Sequence, residues 1–273
     1  MDMTTKGFCM KLHLAAAAAL TMVAGGLLVS PAHAVTTERV TETNVTRAPE
    51  NTPPSDHWML YTRTPASTGA FVSGPATPPI GGGSFQMSTP GGGDKVQLFN
   101  YDHVGTKLSD VNAIAYDTYR TAGNDQQVAA LNLEVDFNGP AVSGGFTTLV
   151  FEPVYNTSQG AVASGMWQHW DAYNGGGAKW WSTKSIPGVC AFDCFVSWSD
   201  IVAPNPDATI LGGVGLNQGS GNGGLTTSVD AFTFNDTTYD FDVPGKDDCK
   251  NNGWMKLGFK NQGQCVASFT PVK

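Results

Sequence analysis

Charged residues are scarce in this sequence. Asp, Glu, Lys and Arg make up 14% of its 273 residues, and anions outnumber cations 23 to 15. The lack of clustered Lys and Arg excludes nonspecific binding to nucleic acid or anionic lipid, both of which need basic patches. Histidine is thin as well, five in all, and none of His57, His103 and His169 stands in a nucleophile-elbow setting. The cysteines Cys190, Cys194, Cys249 and Cys265 lack the paired C-x-x-C spacing of zinc knuckles and have no nearby His, which disfavours a metal site. The glycine runs at residues 81–83 and 91–93 lack the Lys and the strand-to-helix setting of a phosphate loop, so they read as turns. Beyond residue 30 no apolar run is long enough to span a bilayer.

The one long apolar run lies at the start. Lys6 and Lys11 precede an almost wholly apolar stretch over residues 12–29, followed by Pro31 and the small residues Ala32 and Ala34. Signal peptidase admits only small side chains at those two positions, so residues 1–34 are expected to be a signal peptide and the protein to be secreted, with Val35 as the mature start. An uncleaved anchor is the competing account, opposed by Gly25, Gly26, Pro31 and the cleavage pattern. Lys6, Lys11 and Asp2 leave with the segment, so 13 cations face 22 anions in the remaining 239 residues. That length suits one large domain.

What the chain has in quantity is glycine, 33 residues, with 16 prolines, a composition suited to short strands joined by tight turns. Cys9 falls in the signal segment, leaving an even count of four cysteines, which favours disulfides in an exported chain. Four cysteines allow three pairings. Cys190 with Cys194 and Cys249 with Cys265 is favoured, since each closes a short loop and the second brackets a distinct tail.

Residues 35–55 are rich in Thr, Glu, Pro and Asn without apolar periodicity and are expected to be a flexible leader. A core begins near Trp58. Phe85 and Met87 alternate with polar neighbours, and Val96, Leu98 and Asn100 oppose Gln97, Phe99 and Tyr101. The clearest strand covers residues 131–137, with Leu131, Leu133, Val135 and Phe137 on one face and Asn132, Glu134 and Asp136 on the other. Residues 113–119, 146–154 and 209–216 read as further strands, and residues 199–202 as one capped helical turn. Residues 229–234 and 237–242 read as a hairpin closed by Asn235 and Asp236, which places Phe232 opposite Tyr239. Roughly ten strands by this alternation, with no helix long enough for a βαβ unit, predict an all-β antiparallel sandwich over residues 56–243 and a Cys-bracketed tail over residues 244–273.

The run Asp200-Ile201-Val202-Ala203, then Asn205-Pro206-Asp207-Ala208-Thr209, Gly215-Leu216-Asn217-Gln218-Gly219-Ser220-Gly221 and Val229-Asp230-Ala231-Phe232-Thr233-Phe234-Asn235 resembles a largely uncharacterised group of secreted bacterial proteins. The tail resembles a short C-terminal module of such proteins, through Cys249-Lys250-Asn251-Asn252-Gly253-Trp254 and Phe259-Lys260-Asn261-Gln262-Gly263-Gln264-Cys265-Val266. The resemblance implies a jelly-roll, concanavalin-like sandwich and supplies no catalytic residues. Jelly rolls of this type often carry a structural calcium ion; no loop here has the dense Asp pattern of a dedicated site, so no ligands are assigned and no cofactor is required.

Three functions compete. Trp167, His169, Trp170, Asp171, Tyr173, Trp180 and Trp181 fall within fifteen residues and form a candidate site for a polysaccharide or cell-envelope glycan, since exposed aromatic faces stack on pyranose rings. In a strand Trp167, His169 and Asp171 share a face and Trp170 points opposite; the competing account is that these tryptophans are core. The second function is glycoside hydrolysis. Glu134 and Asp136 share a face, as in the laminarinase-type enzymes this stretch resembles, but Asn138 stands where those carry another Glu, so the carboxylate pair is incomplete. The third is a structural or matrix protein held by its tail, where Lys246, Lys250, Lys256, Lys260 and Lys273 oppose Asp247 and Asp248. The expectation taken forward is a monomeric, noncatalytic, glycan-binding or envelope-associated module.

Overall fold

A computed structural model describes residues 35–124, 126–221 and 223–270. The expected signal peptide therefore lies outside the described residues, as does Lys273. The strands are β1 (Thr36–Val40), β2 (Val45–Pro49), β3 (Trp58–Thr62), β4 (Thr68–Ser73), β5 (Gly83–Thr89), β6 (Val96–Asn100), β7 (Ile114–Ala122), β8 (Ala130–Asp136), β9 (Phe146–Phe151), β10 (Trp167–Asp171), β11 (Trp180–Ser182), β12 (Thr209–Gln218), β13 (Leu225–Phe234) and β14 (Thr237–Phe241). They form two seven-stranded sheets packed as a sandwich. One runs β1-β14-β13-β5-β4, with β7 joined to β13 and β10 to β7; the other runs β11-β9-β8-β12-β6-β3-β2.

Alternation decides which side chains meet between the sheets. Leu131, Leu133 and Val135 of β8 are fully buried, as are Leu98, Val214 and Leu216 of the flanking strands. From the other sheet come Phe85, Met87, Val229, Phe232 and Phe234, also buried in the same cluster. Trp58 packs edge-on against Tyr239 and Phe241 at 5.0 and 5.6 Å. Each such side chain contributes about 1.5–3 kcal/mol through burial. The hairpin register is as the sequence predicts: Phe232 pairs with Tyr239 and their rings stack at 5.7 Å. Asn235 takes the left-handed conformation that the two-residue turn requires.

Two expectations are corrected. Residues 35–55 are not a flexible leader. They supply β1, which pairs in parallel with β14, and β2, which pairs in parallel with β3, so both sheets are mixed rather than antiparallel throughout. An edge strand is held by its backbone ladder and needs little apolar periodicity; Val40 and Val45 are its buried apolar anchors. Thr41 and Asn44 form a reciprocal capping box on the 3-10 turn between the two strands. The second correction concerns helix content. Besides α1 (Trp198–Val202), capped by Ser197, the tail holds α2 (Gly253–Lys256) and α3 (Gln262–Ser268).

Both favoured disulfides are present, Cys190 with Cys194 and Cys249 with Cys265. The tail docks on the sandwich through Asp248. Its carboxylate accepts from Arg39 Nη1 at 2.9 Å, from Thr41 Oγ1 at 3.0 Å and from the Gly245 amide at 2.6 Å. No described helix is long and apolar enough to cross a membrane.

Two carboxylates set opposite limbs of a pH profile. Arg63 and Lys95 clasp Glu50, with Arg63 Nε at 2.5 Å and Lys95 Nζ at 2.8 Å, and hold its carboxyl down from 4.5 to about 2. That contribution to stability is full above pH 4.5 and is lost as pH falls toward 2. Burial pushes Asp230 of β13 up from 3.8 to about 7, against the opposing pull of backbone amides from Ala231, Ile80 and Phe241. A raised carboxyl works in the other sense: its contribution is full below pH 3.8 and is lost as pH rises through 7. The melting temperature should therefore be highest in mildly acidic solution. Thermal unfolding across pH 2–9 should show Glu50→Gln flattening the acid limb and Asp230→Asn flattening the neutral one. A neutral limb unaltered by Asp230→Asn would refute the assignment to Asp230.

Candidate ligand-binding cleft

The side chains opposite to the core set line the outer face of the second sheet, and registry arranges them in rows. One row crosses from Trp181 on β11 through Val150 on β9, Asn132 on β8 and Gly215 on β12 to Phe99 on β6 and Met59 on β3. The next runs from Ala130 through Asn217 and Gln97 to Tyr61. Over these rows lies an open cleft of about 1060 Å³.

Its two walls have different origins. On one side, Met59, Tyr61 and Phe99 form a small apolar cluster with Ala48 and Tyr101, and the Tyr61 and Tyr101 hydroxyls lie 3.1 Å apart. The polypeptide over residues 50–56 borders this side, held by Glu50 on Arg63 and Lys95. On the other side stands Trp181, half-buried, its Nε1 donating to Glu152 Oε2 at 2.9 Å. Its ring packs against exposed Phe192 with centroids 5.5 Å apart. Phe192 is carried in the short loop closed by Cys190 and Cys194, in a left-handed conformation uncommon for so bulky a residue.

The centre of the floor is bare because β12 is glycine-rich where it bulges. Register shifts between Ile210 and Val214, and the Gly213 amide there donates to Glu134 Oε2 at 2.8 Å. A Cβ at Gly212 would stand 2.2 Å from that same oxygen. Glu134 thus acts as a clasp on the bulge, and the glycines leave room for it.

Hydrogen-bonding capacity is left over beside this gap. Asn132 Oδ1 and Asn217 Oδ1 are both buried and without partners among the described residues. Asn132 is nine-tenths buried. A buried acceptor left unmade costs about 1–3 kcal/mol, so two of them on the floor of one cleft call for donors from a ligand or from water. Burial raises the Glu152 carboxyl above the ordinary range, partly offset by the Trp181 N–H.

Glu134 and Glu152 lie apart along the sheet. Leu131 pairs with Phe151 and Asn132 with Val150, so continuing the ladder sets Glu152 beside Ala130, four residues along β8 from Glu134. That offset is about 13 Å of backbone at ~3.3 Å per residue. Asp136, on the same face, is buried and lies farther still from Glu152.

The aromatic cluster singled out in the sequence is split between the sheets. Trp167, His169, Trp170 and Asp171 lie on β10 in the first sheet, and Trp180 and Trp181 on β11 in the second. Trp170 and Trp180 are fully buried, with Nε1 atoms bonded to Thr118 Oγ1 and the Ala172 carbonyl, so both are corrected to core residues. Trp167 is half-buried and donates to the Pro75 carbonyl. His169 is exposed and pairs with Asp117 at 3.1 Å, which raises its pKa. Asp171 caps the turn at Tyr173 and Asn174. Tyr173 lines a separate hollow of about 300 Å³ beside α1. Of the seven, Trp181 alone lines the large cleft.

Sequence reasoning passed over Tyr61, Gln97, Tyr101, Asn217 and Glu152. The signal was present in β6 and the residue after it, where Phe99 and Tyr101 alternate with the core set and so put two aromatic rings on an outward face. Among the described residues no group of three or more His, Cys, Asp or Glu is placed to hold a metal ion. Comparison with protein-family models, curated proteins and solved structures finds no match to this chain.

Proposed function

We propose that this protein is an exported, noncatalytic glycan-binding module, and that the cleft on the second sheet, rather than the aromatic cluster as a whole, is its binding surface. The observation that carries the reading is the pairing of an aromatic wall at Trp181 with the unpartnered amide oxygens of Asn132 and Asn217 across a flat, glycine-lined floor. Sugar rings bind through an apolar C–H face and a hydroxyl edge, and sites for them combine an aromatic surface with a few fixed polar groups. Binding without hydrolysis is supported by Asn138 standing where the laminarinase-type pattern carries a second Glu and by the commitment of Glu134 to the Gly213 amide. Export is supported by the signal-like pattern of residues 1–34, by two disulfides and by the resemblance to secreted jelly-roll proteins.

A pull-down of the chain beginning at Val35 on a panel of insoluble polysaccharides tests this directly. Retention on at least one is expected, with Trp181→Ala weakening it about tenfold or more, the size of a lost stacking contact. The double variant Asn132→Ala, Asn217→Ala should weaken it further. Release of reducing ends by the wild type would overturn the noncatalytic reading, and no retention on any polysaccharide would overturn the binding one.

A further inference from the structure

The charges around the cleft are one-sided. Glu50, Asp56, Glu134 and Glu152 line it, while Lys95 is the one cation among the described lining residues. Lys95 is committed to Glu50, and Asp56 is met at the rim by Lys256 at 3.5 Å. Glu134 is engaged by the Gly213 amide. Neither Glu134 nor Glu152 has a cationic partner among the described residues; Glu134 is turned onto the bulge of β12 by that amide, whereas Glu152 meets the Trp181 indole N–H at 2.9 Å.

Its position matters as much as its charge. Because Trp181 Nε1 donates to Glu152, the carboxylate lies at the edge of the ring on which a sugar would stack. A ring seated there brings its equatorial substituents alongside Glu152. Hydroxyl groups can donate to that carboxylate, and to the acceptors Asn132 Oδ1 and Asn217 Oδ1. The carboxylate of a uronate or a sulfate group, set against Glu152, has no proton to donate and adds a like charge in a half-buried place, where screening by water is weak.

We infer that Glu152 is a specificity-determining residue, which restricts the cleft to uncharged, hydroxyl-rich glycan chains and excludes acidic ones. The inference rests on the glycan-binding reading above. It goes beyond that reading by naming the ligand class and the residue that selects it. Burial raises the Glu152 pKa, so exclusion should relax in acid.

The test measures binding of neutral glucan, xylan and mannan chains, and separately of polygalacturonate and alginate, to wild type and Glu152→Gln by affinity electrophoresis at low and high salt. Glutamine keeps an oxygen for the Trp181 N–H and removes the charge. Wild type is expected to bind at least one neutral chain about tenfold or more tightly than either polyuronate at low salt. Glu152→Gln should weaken neutral binding, since a charged acceptor for sugar hydroxyls is lost, and should strengthen polyuronate binding, so that the preference narrows to about threefold as the Coulombic repulsion goes. Added salt should narrow the wild-type preference in the same direction. Glu152→Ala serves as a second variant if the glutamine form melts early. Neutral binding with a preference unmoved by either variant would overturn the inference and leave the binding reading standing, as would equal affinity for neutral and acidic chains. Binding of acidic chains only would overturn the inference as well. No binding of any chain would overturn both.

Discussion

Trp180→Ala should lower the free energy of unfolding by about 3–5 kcal/mol, whereas Trp181→Ala, one residue on, should cost about 1 kcal/mol or less. The strand alternates, so the two neighbours face opposite sides of the same sheet. Trp180 is completely buried, packs on Phe151 at 5.6 Å and on Trp198 at 5.5 Å, and donates to the Ala172 carbonyl at 2.7 Å. Removing it leaves a large cavity and strands a buried carbonyl, which are two separate penalties. Trp181 is half-buried, and its truncation opens onto a cleft that is already open. Urea denaturation of the two variants, read as midpoint and slope, checks this. Equal losses for the pair would mean that Trp181 is a structural residue, and the cleft would lose its aromatic wall as a functional feature.

That adjacent pair also shows what the sequence can and cannot say. Alternation correctly separates Trp170 from Trp167 and His169 on β10, and Leu131, Leu133 and Val135 from Asn132, Glu134 and Asp136 on β8, because period two is a local property of a strand. It does not reveal which strands lie side by side. Trp167 and Trp181 are fourteen positions apart, yet the topology sends them to different sheets, so a cluster in sequence is not a cluster in space. The cleft joins β3, β6, β8, β9, β11 and β12, drawn from residues 58–218, and its rows exist only once pairing is known. Residues 35–55 fail the periodicity test for a different reason. Edge strands are recruited by backbone hydrogen bonds, and composition carries little trace of that. The two short disulfide loops were legible because closing four or sixteen residues is a local matter.

The site also depends on a position with no side chain. Gly215→Ala is expected to destabilise the protein by about 3 kcal/mol or more, at the upper end of what overpacking costs. A Cβ there would sit 2.1 Å from the Leu98 carbonyl oxygen and 3.1 Å from both the Leu98 carbonyl carbon and the Phe99 Cα. All three are backbone atoms of the strand to which Gly215 is paired, so no rotamer change relieves the clash. Relief requires β12 and β6 to move apart at the centre of the sheet, between Asn132 on one side and Phe99 on the other. Gly92→Ala is the matched control: nothing lies within 4 Å of its Cβ, and a change within about 0.5 kcal/mol is expected. Thermal melts of the two alanine variants decide the matter. If Gly215→Ala melts with the wild type, β12 is free to shift against β6, and the flat floor assigned to the cleft is not fixed by the fold. If it melts early while Gly92→Ala does not, the bare strip between the Asn132 and Asn217 amides is a requirement of sheet pairing. The sequence then supplies the flat surface a sugar ring needs through the same glycine that lets the two strands close.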